Sequence, residues 1–233
     1  MEGGAVFNYC SSLFINCVFN DNTANGRGSA IWNRRSSTLI NCTLTDNNST
    51  NSVIAIENLS TVQIRNSIIY GNNGNITITP GSSLIAANSL IQGIHDNTNG
   101  NIDGDTDPLF VNAGDVDGAD DTWGTNDDGL ILQSSSPAMN SGDNSYISGY
   151  SEDVGGDPRI FDCTVDMGAY ETQVLTFDPQ QSVVQDPVPV CSGTDATFTV
   201  SHQAGTNPTF TWYLNGTQVQ TGSSNTYVTD SLV

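Results

Sequence analysis

Residues 28–47 read GSAIWNRRSSTLINCTLTDN and residues 3–22 read GGAVFNYCSSLFINCVFNDN, so the chain repeats itself with a period of 25. Two further units follow, at steps of 25 and then 22 residues. Each unit contains two or three short β-rich pieces, separated by turn-forming Asn, Gly, Ser and Asp, and no amphipathic run of helix length. A unit this short cannot bury its own apolar face, whereas stacked units can. The repeat therefore predicts a β-solenoid.

Stacking the units by these steps predicts three apolar columns that face the interior. Each column takes one residue from every unit, so that equivalent strands lie about 4.8 Å apart. The predicted columns are Val6, Ile31, Ile56 and Ile78; Phe14, Leu39, Ile64 and Ala86; and Phe19, Leu44, Ile69 and Ile91.

Two asparagine columns accompany the apolar ones. We expect each side-chain amide to bond to those in the coils above and below it, which satisfies groups that would otherwise cost about 1–3 kcal/mol each. Cys17 and Cys42 share a column with Ser67 and Ser89, which favours small buried residues; a disulfide between neighbouring coils is the alternative. The asparagine columns are Asn16, Asn41, Asn66 and Asn88 at one bend, and Asn8, Asn33 and Asn58 at another.

The phrases GAVFN at 4–8 and INCVF at 15–19 resemble the right-handed β-helix repeats of large bacterial surface proteins, including the polymorphic outer-membrane proteins. The resemblance covers residues 3 to about 95. It implies an all-β protein whose residues 1–98 form a right-handed parallel β-helix.

The repeat dissolves after residue 95, and Asp becomes abundant. Clustered carboxylates on a Gly-rich loop repel one another unless a cation lies between them, and calcium prefers such oxygen ligands. Pro108 stands where a helix-loop-helix calcium loop needs Gly, and no Glu closes that loop, so the motif is half met. The alternative is a solvated acidic loop. The candidate calcium ligands are Asp103, Asp105, Asp107, Asp115, Asp117, Asp120, Asp121, Asp127 and Asp128.

A second resemblance lies in the region that follows the repeat, in segments 107–110, 130–142, 153–160 and 165–171. These segments resemble the choice-of-anchor Q module that follows β-helices in secreted bacterial proteins. The resemblance implies that residues 99–172 are such a module, which would close the open end of the solenoid. Arg159 is expected to pair with a nearby Asp.

Pro residues mark residues 173–189 as a linker. Beyond it, two alternating strands and the hairpin-forming pair Asn215-Gly216 predict a β-sandwich. Cys191 before the first strand and Trp212 on the next resemble the immunoglobulin-like modules of bacterial surface proteins. Residues 190–233 would then be an incomplete module, and the partner of Cys191 would lie beyond Val233.

The chain has 25 acidic and 5 basic residues, a formal net charge of -20. Phosphate binding needs clustered cations, so this charge argues against nucleic acid and anionic membranes as partners. No stretch of about 18 apolar residues occurs, and no membrane span is predicted. The composition indicates a secreted or cell-surface protein, with its export signal expected outside this sequence.

Parallel β-helices also host polysaccharide lyases and glycoside hydrolases, so a fragment of such an enzyme is the alternative function. A lyase needs a base beside its carboxylates, and a glycosidase needs two carboxylates about 5–10 Å apart. No recognisable set of catalytic residues accompanies His95 or His202 in the sequence. The remaining candidates, which are scattered over turns and one strand, are Asp21, Asp46, Glu57, Arg34, Arg35 and Arg65.

We therefore predict a non-catalytic structural or adhesive segment, stabilised by calcium. Phe7 and Trp32 occupy one outward column, where their rings could stack on a sugar of an extracellular glycan. The alternative is that both rings only cover the flank of the coil.

Overall fold

The computed structural model describes residues 3–161, 163–173, 197–199, 210–214, 217–224 and 226–228. The chain divides into two compact units, residues 1–174 and 175–233. The described residues are all β apart from loops and one short 3-10 turn, Asn144–Ile147. The strands of the first unit are β1 (Val6–Asn8), β2 (Ser12–Ile15), β3 (Val18–Asn20), β4 (Thr23–Ala24), β5 (Ile31–Asn33), β6 (Ser37–Ile40), β7 (Thr43–Thr45), β8 (Asn48–Ile56), β9 (Thr61–Arg65), β10 (Ile68–Ile69), β11 (Asn73–Ile78), β12 (Ser83–Ala87) and β13 (Leu90–Ile91).

These strands form a parallel β-solenoid of about three turns, which confirms the fold predicted from the repeat. Every pairing in it is parallel and joins neighbouring coils. The three sheets run β1-β5-β8-β11, β2-β6-β9-β12 and β3-β7-β10-β13, and β4 pairs with β8.

Two of the predicted apolar columns are confirmed. Phe14, Leu39, Ile64 and Ala86 are register partners along the second sheet, as are Phe19, Leu44, Ile69 and Ile91 along the third. Leu39, Ile64 and Leu44 have no exposed surface. Burial of each such side chain contributes about 1.5–3 kcal/mol, so the stack supplies the core that one coil lacks.

The remaining apolar column is wrong in register in its last two coils, although Ile56 is buried in the core as predicted. The partner of Ile31 is Ile54, two residues before the predicted Ile56, and the next partner is Ile76. Ile78, predicted to face the interior, is 47% exposed. The same shift places Ile56, and not Asn58, beside Asn33, so the second asparagine column ends after the pair Asn8 and Asn33.

Two compensating changes of loop length cause this shift. Ala24 pairs with Ser49, yet six residues (25–30) lead from there to β5, whereas four residues (50–53) precede Ile54. The turn that follows is two residues longer than its equivalent in the preceding coil. It contains Asn58 and Leu59, which have φ values of 60° and 59°. The period therefore stays at 25 while the register inside one coil moves by two.

The acidic region does not simply cap the end of the solenoid. Residues 94–104 do cover the last coil, where Ile102 bridges to Leu90. Later residues lie against the outer face of the third sheet, whose Ile68 and Leu90 share a second core with parts of that region. The sheet thus has apolar contacts on both faces, because its residues alternate between the interior and this second core. The cluster on the outer side comprises Phe110, Leu130, Leu132, Ala138, Met167, Ala169 and Tyr170.

The described part of the second unit consists of two antiparallel pairs. The strand β14 (Thr197–Thr199) pairs with β17 (Thr226–Val228), and β15 (Phe210–Leu214) pairs with β16 (Thr217–Gly222) across the predicted hairpin position. The rings of Trp212 and Tyr227 stack with centroids 5.9 Å apart. Cys191, His202 and the predicted linker from residue 174 onward lie outside the described residues.

Candidate functional site

Four side chains form an aromatic patch on the outer face of the first sheet: Phe7, Tyr9, Trp32 and Arg34. Phe7 and Trp32 are register partners on β1 and β5, and their rings stack with centroids 4.3 Å apart at an interplanar angle of 26°. Tyr9 meets Phe7 edge to face at 4.6 Å. The structure therefore brings together the two predicted ligand-binding rings and adds two side chains that sequence reasoning missed.

Arg34 covers one side of this patch. Its guanidinium carbon lies 5.5 Å from the Tyr9 ring centroid and 5.7 Å from that of Trp32, and Nη1 donates to the Tyr9 hydroxyl at 3.1 Å. In the described part of the chain no carboxylate forms an ion pair with Arg34. The patch thus combines a cation with ring faces in an otherwise acidic protein.

The patch retains free binding capacity. Phe7 is 43% exposed and Tyr9 is 57% exposed. The Trp32 indole Nε1–H does not contribute to this capacity, because it is buried; it has no hydrogen-bond acceptor among the described residues. Exposed ring faces beside polar hydrogen-bonding groups match the two-sided, apolar and hydroxylated surface of a sugar.

The acidic candidates do not form one site. Asp107 accepts the Leu109 N–H at 2.8 Å in a turn, and Asp121 is exposed with a φ of 53°. The backbone carbonyls of Asp115 and Asp117 accept the N–H groups of Gly118 and Thr122. These four residues therefore belong to turns. The other five candidates lie in two separate groups.

One of these groups gathers around the Thr125 hydroxyl. The hydroxyl oxygen lies 2.7 Å from an oxygen of Asp127, 3.3 Å from Asp128 and 3.4 Å from Asp120. A hydroxyl has one proton and can donate to only one of the three carboxylates. The three carboxylates also accept backbone N–H groups within the loop: Asp120 from Thr122, Asp127 from Asp120 and Asp128 from Gly124.

The second group is Asp103 and Asp105, which lie beside His95. The His95 Nδ1 is 3.2 Å from Asp103 Oδ1 and 3.9 Å from Asp105 Oδ2. The hydrogen bond that His95 makes to Asp103, together with the charges of both carboxylates, raises the pKa of His95. Sequence reasoning treated His95 as isolated because its partners follow eight and ten residues later, across a turn.

A buried charge cluster lies farther along the chain, around Arg159. Its guanidinium is 1% exposed, donates to the carbonyls of Ala169 at 2.8 Å and Gly168 at 2.9 Å, and approaches Glu171 at 3.6 Å. The expected partner was an Asp, whereas the ion pair is with Glu171. Arg159 thus binds backbone carbonyls of residues 166–170, a segment that belongs to no strand.

The carboxylates of this cluster also bind backbone N–H groups. Glu171 accepts from Phe161 at 3.1 Å and Asp166 at 2.9 Å, while Asp153 accepts from Gly155, Asp157 and Glu171. Burial raises the pKa of Asp153 and of Asp166, and burial with the Asp166 charge raises the pKa of Glu171 to about 8. An adjacent cavity of about 450 Å³ is lined partly by Asp153, Glu171 and Tyr170.

The predicted asparagine ladder is wrong in its bonding, although all four residues occupy one bend with φ values of 47–50°. Asn tolerates this left-handed conformation better than most residues. Only Asn66 donates to another member, Asn41, at 3.4 Å. Each amide instead donates to a later backbone carbonyl: Asn16 to Glu152 at 2.6 Å, Asn41 to Asp166 at 2.9 Å, Asn66 to Asp143 at 3.0 Å and Asn88 to Ser141 at 3.3 Å.

A true amide ladder exists at a different bend. Asn22 donates to Asn47 at 2.9 Å, and Asn47 donates to Asn72 at 2.9 Å. These residues are spaced by 25, so the repeat could have revealed them. Cys17 and Cys42 are free thiols, and the alternative of a disulfide between their coils is not met.

The residues considered for catalysis are dispersed. Asp21 and Asp46 have φ values of 53° and 52° at the bends that precede this ladder. Glu57 forms an ion pair with Arg27, and Arg65 lies over the Tyr146 ring at 5.3 Å. Arg35 is exposed in the turn after β5. Of the two cavities described, one is lined by Arg65 and neither is lined by two of these six residues, although Asp21 and Asp46 are equivalents on neighbouring coils.

The chain matches no protein-family model, no curated protein and no solved structure. Among the described residues no helix is both long and apolar enough to cross a membrane.

Proposed function

We propose that this chain is a non-catalytic structural and adhesive segment of a secreted or cell-surface bacterial protein, in which the aromatic patch binds an extracellular glycan. The solenoid serves as a rigid support, because each coil is fixed by hydrogen bonds and apolar contacts to its neighbours. Residues 99–172 serve as a choice-of-anchor Q type module, and residues 190–233 belong to an immunoglobulin-like module. Calcium bound by the acidic region stabilises the segment.

The observation that carries the proposal is the stacked pair Phe7 and Trp32 on a flat sheet face, with both partners of the pair held in register by β1 and β5. Rings fixed by strand pairing lose little conformational entropy when a ligand stacks on them. The Arg34 guanidinium adds donors for sugar hydroxyl or carboxylate oxygens.

A glycan array of neutral and acidic polysaccharides tests this directly. We expect binding that weakens by about two- to tenfold in Phe7→Ala and in Trp32→Ala, because each ring contact contributes about 0.5–1.5 kcal/mol. Trp123→Ala is the matched control, since Trp123 is also exposed, at 45%, but lies in the acidic region. Equal losses in Trp32→Ala and Trp123→Ala, or no binding by the parent chain, would contradict the proposal.

Calcium stabilisation is tested by thermal unfolding of the whole chain. We expect millimolar calcium to raise the melting temperature and chelation to lower it, because an ion bound only by the folded state stabilises it. Asp127→Asn should remove the calcium-dependent change in melting temperature, since Asp127 and Asp120 both contact the Thr125 hydroxyl. Asp115→Asn should keep the shift. Identical melting with calcium and with chelator removes this part of the proposal.

The enzymatic alternative has its own test. Release of unsaturated products from polygalacturonate, or of reducing ends from another polysaccharide, would replace the non-catalytic function with that of a lyase or hydrolase.

A further inference from the structure

The exit from the last coil brings an imidazole and two carboxylates together. His95 follows the end of β13, and Asp103 and Asp105 lie on the turn that covers the same coil. The Gly104 N–H donates to the Ile94 carbonyl at 3.0 Å, which fixes this turn against the exit. A Cβ atom on Gly104 would lie 2.0 Å from the Ile91 carbonyl oxygen, so only glycine permits this approach.

The spacing of the three side chains matches a small coordination sphere. One ligand atom from each of them lies within 4.8 Å of the other two. The distances from His95 Nδ1 are 3.2 Å to Asp103 and 3.9 Å to Asp105. Neighbouring ligands of a tetrahedral zinc ion are about 3.3–3.5 Å apart, given bonds of about 2.0–2.2 Å. Small rotations of the exposed side chains would therefore suffice.

We propose that His95, Asp103 and Asp105 form a site for a divalent transition-metal ion, with zinc as the reference ligand and water in the open positions. The imidazole nitrogen separates this site from the acidic group around Thr125. Nitrogen ligands suit zinc, nickel and copper, whereas calcium prefers oxygen alone. The site is independent of glycan binding and of calcium.

Metal binding at this site would replace a proton. In the described structure His95 and Asp103 share a hydrogen bond, and the metal would take the position of its proton between the same two atoms. The ion would join the end of the last coil to the turn that covers it. It would therefore stabilise the end of the solenoid, where strands have fewer neighbours.

Isothermal titration of zinc into the whole chain near neutral pH tests the proposal. We expect one saturable site that weakens by more than about tenfold in His95→Ala, since even outer-shell changes weaken metal sites by this factor. His202→Ala removes the only other imidazole of the chain, and Asp107→Asn removes a carboxylate two residues beyond Asp105. Both controls should retain parental affinity.

Thermal unfolding separates the metal site from loss of fold. Zinc should raise the melting temperature of the parent chain and of His202→Ala but not of His95→Ala, whose metal-free melting should equal that of the parent. The response of His95→Ala to calcium should be unchanged. Saturable zinc binding that survives in His95→Ala, or the absence of binding by the parent chain, would overturn the proposal.

Discussion

In the coils, backbone N–H groups donate to carbonyls of the neighbouring coil, whereas in residues 105–172 many of them donate to carboxylates. Leu39 and Ile64 lie on strands whose pairing repeats from coil to coil. Asp153 and Glu171 each accept two or more backbone N–H groups at positions that no repeat relates. Both arrangements satisfy buried backbone groups, as a folded chain requires.

The two regions differ in what the loss of a single side chain leaves behind. A coil residue has equivalents above and below it, so its loss leaves a cavity in a continuous core. A buried carboxylate or Arg159 serves several backbone groups at once, so its loss leaves many of them unsatisfied. Four substitution and pH experiments sharpen this comparison, from the largest expected effect to the smallest.

Arg159→Met should destabilise the first unit most, by about 3–5 kcal/mol, because it leaves Glu171 and several carbonyls without their buried partner. Urea unfolding of the whole chain measures this loss. Arg35→Met, at an exposed turn, should change the free energy of unfolding by less than about 0.5 kcal/mol. Similar effects of the two changes would show that Arg159 does not organise its region.

Ile54→Ala should lower the free energy of unfolding by about 2–5 kcal/mol, because Ile54 has no exposed surface and occupies the core column. Ile78→Ala is the matched control at a site that is 47% exposed, and its effect should be below about 1 kcal/mol. The same urea titrations compare them. If Ile78→Ala were the more damaging change, the register of the third coil would be that of the uniform repeat.

Asn41→Gly should cost about 1–3 kcal/mol, because glycine keeps the left-handed backbone but leaves the buried Asp166 carbonyl without the amide donor. Asn58→Gly makes the same change at a φ of 60° on an exposed turn, and should be nearly neutral. Thermal or urea unfolding distinguishes the two. Equal effects would mean that backbone conformation alone matters at this bend.

The pH dependence of stability should reveal the buried carboxyl groups. Burial raises the pKa of Glu171 from 4.5 to about 8, so the folded chain binds a proton that the unfolded chain has released between these values. The free energy of unfolding should therefore fall as the pH rises from about 4.5 to about 8, by at most about 1.4 kcal/mol per pH unit for this group. Asp153 and Asp166 shift in the same direction.

Glu171→Gln should flatten this slope, whereas Asp115→Asn, at an exposed position, should leave it unchanged. Urea unfolding at several pH values provides the measurement. A pH dependence across this window that Glu171→Gln leaves unchanged would show that Glu171 is ionised throughout, with Arg159 as its dominant partner.

The sequence predicted most where contacts repeat. Leu39 and Leu44 were assigned correctly because equivalent residues recur at a fixed step and must stack. Phe7 and Trp32 were paired for the same reason. The predicted register failed at Ile56 and Ile78, although Ile56 is buried as predicted, because a loop shortened by two residues and a turn lengthened by two leave the overall period intact.

Within residues 95–172 the sequence predicted much less of the structure. The abundance of Asp was visible, but not which carboxylates are buried, which surround Thr125 and which adjoin His95. Those groupings depend on turns of irregular conformation. Such turns do not repeat, so the position of one residue does not predict the position of another.

By itself, the sequence determined the solenoid, since a fixed step along the chain leaves stacking as the way for apolar columns to be buried. Only the tertiary structure decided what the bend asparagines bind, because the acceptor of Asn41 lies 125 residues away in a segment without repeat. The same applies to Tyr9 and Arg34 around the predicted rings, and to His95 beside its two carboxylates. Contacts set by periodicity can be read along the chain, whereas contacts between a repeat and irregular loops require the folded arrangement of both.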